Sequence, residues 1–312
     1  MSEASKPEAT WAEICEEAGS GDFLKDYILQ GDPYATGLWQ LDGILGGGLY
    51  PGVTTIGGEP GSFKTGFACA LMVNWAVGGM RPVYFSLELS RQDILMRMCS
   101  YYATTRSDLS NFRWATAHPS ERPSRRDGRS EHEWAMDYER KMRDADPTLV
   151  AWSAMREEIG GRYAVFEDVH KLGSITQVIR QLGECGLRSP VVIDYAQLIE
   201  TDNMGASEYE RMSLISRELA TAAKIGGVPV LLISSLKKLS EKDRLEGPSV
   251  NWFRGSGYLG YDATAAVIIG EPETIDEKYG ISESEWHVVK NRHGSVTSVL
   301  MQFQPWCGWV KR

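Results

Sequence analysis

The sequence predicts an α/β fold in which a mainly parallel sheet is flanked by helices and finished by an antiparallel hairpin near the C-terminus. Three observations predict it. Short apolar runs alternate with helical stretches from Val53 onward. The earlier runs are almost continuously apolar, as strands buried on both faces of a parallel sheet are. The last two runs are parted only by a short turn through His293, Gly294 and Ser295, which marks a hairpin.

Residues 1–36 read as a linker or helical segment. Trp11, Ile14 and Cys15, then Phe23, Leu24, Tyr27 and Ile28, recur at helical spacing on either side of a GSGD break. So short an amphipathic stretch cannot fold alone, and its apolar face is expected against the main body or a neighbouring subunit. Residues 37–312 form the main domain. Its strand runs are VTTIGG from Val53, PVYFSLE from Pro82, RYAVFED from Arg162, PVVIDYAQLI from Pro190, PVLLISS from Pro229, ATAAVIIG from Ala263, WHVVKN from Trp286 and VTSVLMQFQ from Val296. Helices are expected over Thr65–Val77, Ser90–Tyr102, Ser174–Gly183 and Glu208–Lys224, the last carrying the stripe Met212, Ile215, Leu219 and Ala222. Residues 103–147, rich in Arg, Ser and Asp, are too long for an ordinary connection and read as an insertion with a helix near Glu131–Arg143. Its mixed-sign charge favours a solvated surface loop over a dedicated binding element.

Composition narrows the class. The five cysteines form no C-x-x-C pair and have no histidine at ligand spacing, so neither a zinc site nor a disulfide framework is indicated. The N-terminal residues lack the order of a secretion signal and no apolar run reaches membrane-spanning length, which points to a cytoplasmic protein. A net charge of −9 argues against a uniformly basic nucleic-acid coat, yet leaves room for a local basic channel.

The stretch GEPGSFKT at 58–65 lies between an apolar strand and a helix, the context of a phosphate-binding loop. Backbone N–H groups of Glu59, Gly61, Ser62 and Phe63 are expected to wrap phosphates, with Pro60 contributing shape to the loop and no donor. Lys64 would reach the outer phosphates and Thr65 would supply a hydroxyl for magnesium. Phe63 stands where such loops carry glycine. Its N–H preserves the cradle, but a positive φ there would cost about 1–3 kcal/mol. Glu88 follows the next strand at the sheet's carboxyl edge, placed to deprotonate an attacking water. Asp194 ends another strand, where a second-shell magnesium carboxylate belongs. Ser234 and Ser235 end a third and could sense the terminal phosphate.

Taken in order, GGGLYPGVTTIGGEPGSFKT, PVYFSLELSRQDILMRM, VVIDYAQLI, ISRELATAAK, ISSLKK, FRGSGYLGYDATAAVII and VVKNRHG resemble the RecA-like motor domain of DnaB-type replicative helicases, from about Gly37 to the C-terminus. The resemblance implies a RecA-like P-loop NTPase fold, ATP and magnesium as cofactors, and ATP-driven translocation on single-stranded DNA during replication. By it, Lys64 and Thr65 hold phosphate and metal, Glu88 is the catalytic base, and Lys290 with Arg292 reaches the γ-phosphate bound by a neighbouring subunit. It further implies a homo-oligomer, a hexameric ring, with a loader or primase as partner. The family's usual glutamine is replaced at Ser235. Without the family's separate N-terminal domain, the sequence suggests a stand-alone motor of the phage or mobile-element kind. A recombination ATPase of the RecA or RadA type, and a nucleotide-gated DNA-binding protein with little hydrolysis, stay open as alternatives. DNA contacts are expected from 200–211 and 237–257, through Lys237, Lys238, Lys242, Arg244 and Arg254, with Trp252 or Phe253 available for stacking.

Overall fold

The structure, a computed structural model, describes residues 32–106, 147–304 except 204, 256 and 279, the pair 309–310, and isolated positions between 130 and 140. The chain divides into units 1–33 and 34–312. The helical segment expected near the N-terminus and most of the 103–147 insertion lie outside the described residues; of the helix expected at Glu131–Arg143, the described positions Glu133, Met136, Asp137 and Arg140 are helical.

The larger unit opens with α1 (Trp39–Leu45), β1 (Gly52–Gly58), α2 (Lys64–Val77), β2 (Val83–Ser86), α3 (Arg91–Arg106) and α4 (Pro147–Ile159). It continues through β3 (Ala164–Phe166), α5 (Leu172–Glu184), β4 (Val191–Asp194), α6 (Glu208–Gly226), β5 (Pro229–Ser235), α7 (Glu241–Glu246) and α8 (Tyr258–Tyr261). The strands β6 (Ala265–Ile269), β7 (Glu273–Asp276), β8 (Ile281–Asn291), β9 (Ser298–Gln304) and β10 (Trp309–Val310) complete it. The sheet order is β10-β9-β8-β6-β1-β5-β4-β2-β3, with β7 paired to β8 off this path. From β6 to β3 every pairing is parallel, while β8, β9 and β10 pair antiparallel. The predicted fold class and terminal hairpin are therefore present.

Why these runs are strands follows from what covers them. On β5, Leu231 and Ile233 enter one core with α2, α3 and α4, while Val230 and Leu232 enter the other with α5 and α6. Both faces are buried, so the period of two is hidden in the sequence by a continuous apolar run. Helix α2 is buried on nearly all sides through Phe67, Leu71, Met72 and Trp75. Helix α6 is cut to length by a capping box between Ser207 and Glu210 and by Gly227 at φ 62°. Among the described residues no helix is long and apolar enough to cross a membrane.

Register then places the chemistry. Gly58 pairs with Ser235 on one side and Ile269 on the other, and Ser86 pairs with Asp194. The ends of β1, β2, β4 and β5 thus meet at one carboxyl edge, where open α/β sheets bind ligands.

Candidate nucleotide site

A cleft of about 510 Å³ opens at that edge, lined by the 58–66 loop, Glu88, Arg97, Asp194, Tyr195, Ser235 and Arg254. The sequence-predicted Pro60, Gly61, Ser62, Phe63, Lys64, Thr65, Glu88, Asp194 and Ser235 all border it. Glu59 sits in the same loop, its carbonyl accepting from Lys64.

Two glycines give the loop its shape. Gly61 adopts φ 83°, a left-handed turn open to a glycine, and a Cβ on Gly58 would come within 2.2 Å of Ser62 Oγ. Phe63 also takes a left-handed conformation, φ 72°, at the residue before α2. This is the positive φ that carries the expected cost, a conformation that strains a residue with a β-carbon. Its ring stacks on Phe303 of β9 and lies where a side chain at residue 66 would be, since a Cβ on Gly66 would meet it at 2.3 Å.

Lys64 folds back over its own loop, donating to Gly58 O and Glu59 O at 2.7 Å each and to Ser62 Oγ at 3.2 Å. Burial lowers the pKa of its ammonium, opposed by the negative charges of Asp194, Glu88 and Glu59. Asp194 is buried, and its Oδ2 accepts hydroxyls from both Thr65 and Tyr84 at 2.7 Å. Burial raises its pKa, opposed by those two bonds and then by the charges of Lys64 and Arg97. Glu88 is exposed at the cleft mouth, two residues beyond β2. At the tip of β5, Ser235 Oγ is buried without a hydrogen-bond partner among the described residues, and Gln197 ties the strand ends together. Its side chain bonds Ser234 Oγ (2.9 Å), Ser235 N (3.2 Å) and Arg254 O (3.2 Å).

These residues fit a magnesium-bound nucleoside polyphosphate. A glycine-shaped turn opens a helix N-terminus, a lysine lies beside it, and a hydroxyl already sits on a buried carboxylate. Ser235 Oγ is one more polar atom at the same cleft awaiting a partner.

Lys290 and Arg292 stand elsewhere. Asn291 pairs with Ala265, the first residue of β6, whereas Gly58 pairs with Ile269, the last. At roughly 3.3 Å per residue the four intervening steps span about 13 Å, so these two cations occupy the sheet edge opposite the phosphate loop. Arg292 is exposed, while Lys290 Nζ donates to the carbonyls of Gly260 and Tyr261 at the end of α8. The turn that carries them is clamped to the end of α1. His293 stacks on Tyr50 at 4.0 Å, Asn291 Nδ2 donates to Ile44 O at 2.9 Å, and Ser295 N to the same carbonyl at 3.1 Å.

The five cations expected to face DNA do not form one open track. Lys237 pairs with Asp243 at 2.6 Å, Lys242 with Glu246 at 3.5 Å, and Arg244 with Glu59 at 3.5 Å and Glu271 at 3.7 Å. Arg254 borders the nucleotide cleft, its Nε on Glu208 Oε1 at 3.1 Å. Lys238 is exposed and makes no ion pair among the described residues. Of the stacking candidates, Phe253 is buried and Trp252 half-buried.

With the geometry in place, comparison supplies the lineage. The family model for the DnaB-like helicase C terminal domain matches residues 152–308, half of the chain. The chain belongs to that family. Among DnaB-family relatives, a probable plasmid replicative DNA helicase of Chlamydia muridarum is 28% identical over 278 residues, covering 88% of this chain and 53% of that protein. The replicative DNA helicase DnaB of Leifsonia xyli subsp. xyli is 28% identical over 284 residues, covering 90% and 55%. The chain spans about half the length of the curated relatives it matches. Two solved folds are similar. One is described as an ATPase domain, with TM-score 0.70 and 21% identity over 98% of this chain and 99% of that one. The other is a DnaB-like replicative helicase described with its primase interactions, with TM-score 0.69 and 20% identity over 98% and 68%. The fold is thus the RecA-like ATPase fold of DnaB-type domains.

Sequence reasoning missed Tyr84, Arg97 and Gln197 at this site, and it grouped Arg254 with the DNA loops alone. Arg97 and Gln197 did carry a signal, each being a polar residue inside an otherwise apolar run (ILMRM and YAQLI), the second of which directly follows the predicted magnesium carboxylate Asp194.

Proposed function

We propose that the chain is an ATP-dependent motor that translocates on single-stranded DNA as a ring of identical copies, a replicative DNA helicase of the DnaB type. One observation carries this reading: the phosphate loop, Glu88 and Asp194 meet at one sheet edge, while Arg292 lies at the other, on a turn pinned by His293 and Asn291. A guanidinium so placed cannot serve its own cleft. It can serve the cleft of a second copy packed edge to edge, which makes hydrolysis conditional on assembly.

In this mechanism the loop amides and Lys64 bind the phosphates, Lys64 giving up its contacts to Gly58 and Glu59. Thr65 and Asp194 would hold magnesium, which would supply charge stabilisation at the phosphate oxygens. Glu88 takes the proton of the attacking water. Arg292 of the neighbouring copy stabilises charge on the transferring phosphoryl group, and Ser235 with Arg254 reports the terminal phosphate to the loops that follow DNA. Through the family, a primase or loader is the protein partner we assign.

The test is complementation. Lys64→Ala and Arg292→Ala are each expected to abolish DNA-stimulated ATP turnover, and mixing the two proteins to restore part of it, because some interfaces then join an intact loop to an intact arginine. No recovery on mixing would overturn the shared site. Turnover no greater in wild type than in Glu88→Gln would favour a nucleotide-gated DNA-binding protein.

A further inference from the structure

Tyr84 lies within β2, wholly buried, its ring in the core beneath α2. A tyrosine so placed must find a partner for its hydroxyl, and the partner is Asp194 Oδ2 at 2.7 Å. The same oxygen receives the hydroxyl of Thr65, also at 2.7 Å. Two donors of fixed origin, one from the strand beside β4 and one from the start of α2, leave the carboxylate no freedom to turn about its own axis. No donor among the described residues bonds Oδ1, and Asp194 borders the cleft. Oδ1 is therefore the oxygen left for the water shell of a metal.

We propose that Tyr84 is a positioning residue for the metal-bound nucleotide: its hydroxyl locks the Asp194 carboxylate so that one oxygen stays on Thr65 and the other faces the metal. A group that orients a metal-site carboxylate from behind commonly governs affinity 10- to 100-fold. The role needs a hydroxyl on a rigid aromatic arm, and phenylalanine would fill the same core volume without it. The proposal rests on the reading of this cleft as a magnesium-nucleotide site.

The experiment measures binding of a fluorescent ADP analogue to the full chain in magnesium chloride and in EDTA, and takes the ratio of the two affinities. In Tyr84→Phe the ratio is expected to fall about tenfold while the EDTA affinity stays within twofold of wild type. Asp194→Asn should bring the ratio close to one, and Tyr84→Phe/Asp194→Asn should match Asp194→Asn. The double variant leaves no buried charge short of a donor, so it reports even if Tyr84→Phe alone folds poorly. An unchanged ratio in Tyr84→Phe, an equal loss of affinity with and without magnesium, or a further loss in the double variant overturns the role of Tyr84. A wild-type ratio of one overturns the magnesium-nucleotide reading itself, and this proposal with it.

Discussion

The ring of Phe63 stacks on that of Phe303, centroids 4.5 Å apart and planes 10° from parallel, so a residue of the phosphate loop is anchored to strand β9 of the terminal hairpin. This contact explains how a non-glycine residue persists at φ 72°. The left-handed backbone costs about 1–3 kcal/mol, and burying and stacking an aromatic ring returns a comparable amount. The anchor imposes its own demand on residue 66, where a Cβ would lie 2.3 Å from the ring. Gly66→Ala should therefore destabilise the protein by about 1–3 kcal/mol in urea unfolding, through overpacking. In a Phe63→Gly background the same change should cost nothing or stabilise slightly, since alanine is the better helix former. Equal effects in both backgrounds would show that the ring is not what keeps residue 66 small.

Asp194 gives a prediction about acid. Its pKa is raised above the ordinary 3.8 chiefly by burial, so the folded chain holds this proton more tightly than the unfolded chain does. The contribution of this group to stability is then greatest at low pH and is lost as pH rises from the ordinary carboxylate value through the raised one. Asp194→Asn, whose amide oxygen can still accept from Thr65 and Tyr84, removes that loss. Without nucleotide, its thermal unfolding midpoint at pH 7 should equal or exceed that of wild type, and the gap should shrink as pH falls towards 4. A midpoint well below wild type at pH 7 would mean that the ionised carboxylate is a net stabiliser of the empty site.

What could be read from the sequence divides along a physical line. Strands β2, β4, β5 and β6 were legible because burial on both faces writes a nearly unbroken apolar run, and β1 because its β-branched Val53, Thr54, Thr55 and Ile56 lead straight into the glycine-rich loop. Strand β7, whose residues Glu273, Thr274 and Ile275 are exposed on the sheet's margin, carries no such pattern. Helix α4 was hidden by its position directly after the charged insertion. The loop, Glu88 and Asp194 were legible because each closes a strand that feeds the same edge. Tyr84 was not, because only tertiary approach gives it a place: it is a core residue by every local criterion, whereas Arg97 left at least the trace of a cation inside an apolar helical run. Arg254 shows the limit most plainly. The bridge between Leu236 and Phe253 folds it back beside Ser235, a contact made across an intervening helix.

Lys290 and Arg292, which the sequence joins in one role, should separate in experiment. Lys290 caps the carbonyl end of α8, and its pKa is lowered by burial and by Arg292, so its place is structural as well as electrostatic. Lys290→Ala is expected to cost about 1–2 kcal/mol of stability. Arg292→Ala should stay within about 0.5 kcal/mol of wild type, as exposed substitutions do, yet lower ATP turnover by about a thousandfold. Denaturant titration and steady-state hydrolysis on the same preparations check both. Equal stability for the two variants would return Lys290 to the role of a second catalytic cation.

The ion pairs across 237–246 set the order in which lysines should matter for DNA. A cation already neutralised by a neighbouring acid releases few counterions when it meets a phosphate, because its own charge is partly spent. Lys238, exposed and without an ion pair among the described residues, should therefore contribute most. Lys238→Ala is expected to reduce the slope of log affinity against log salt for single-stranded DNA by about 0.7. Lys242→Ala, which removes a cation paired with Glu246, should reduce it by less. Asp243→Asn should steepen the slope, because it frees Lys237 from its closest partner at 2.6 Å. Fluorescence anisotropy over a range of salt concentrations measures all three. If Asp243→Asn leaves the slope unchanged, Lys237 faces away from the DNA path and the track must run through other residues.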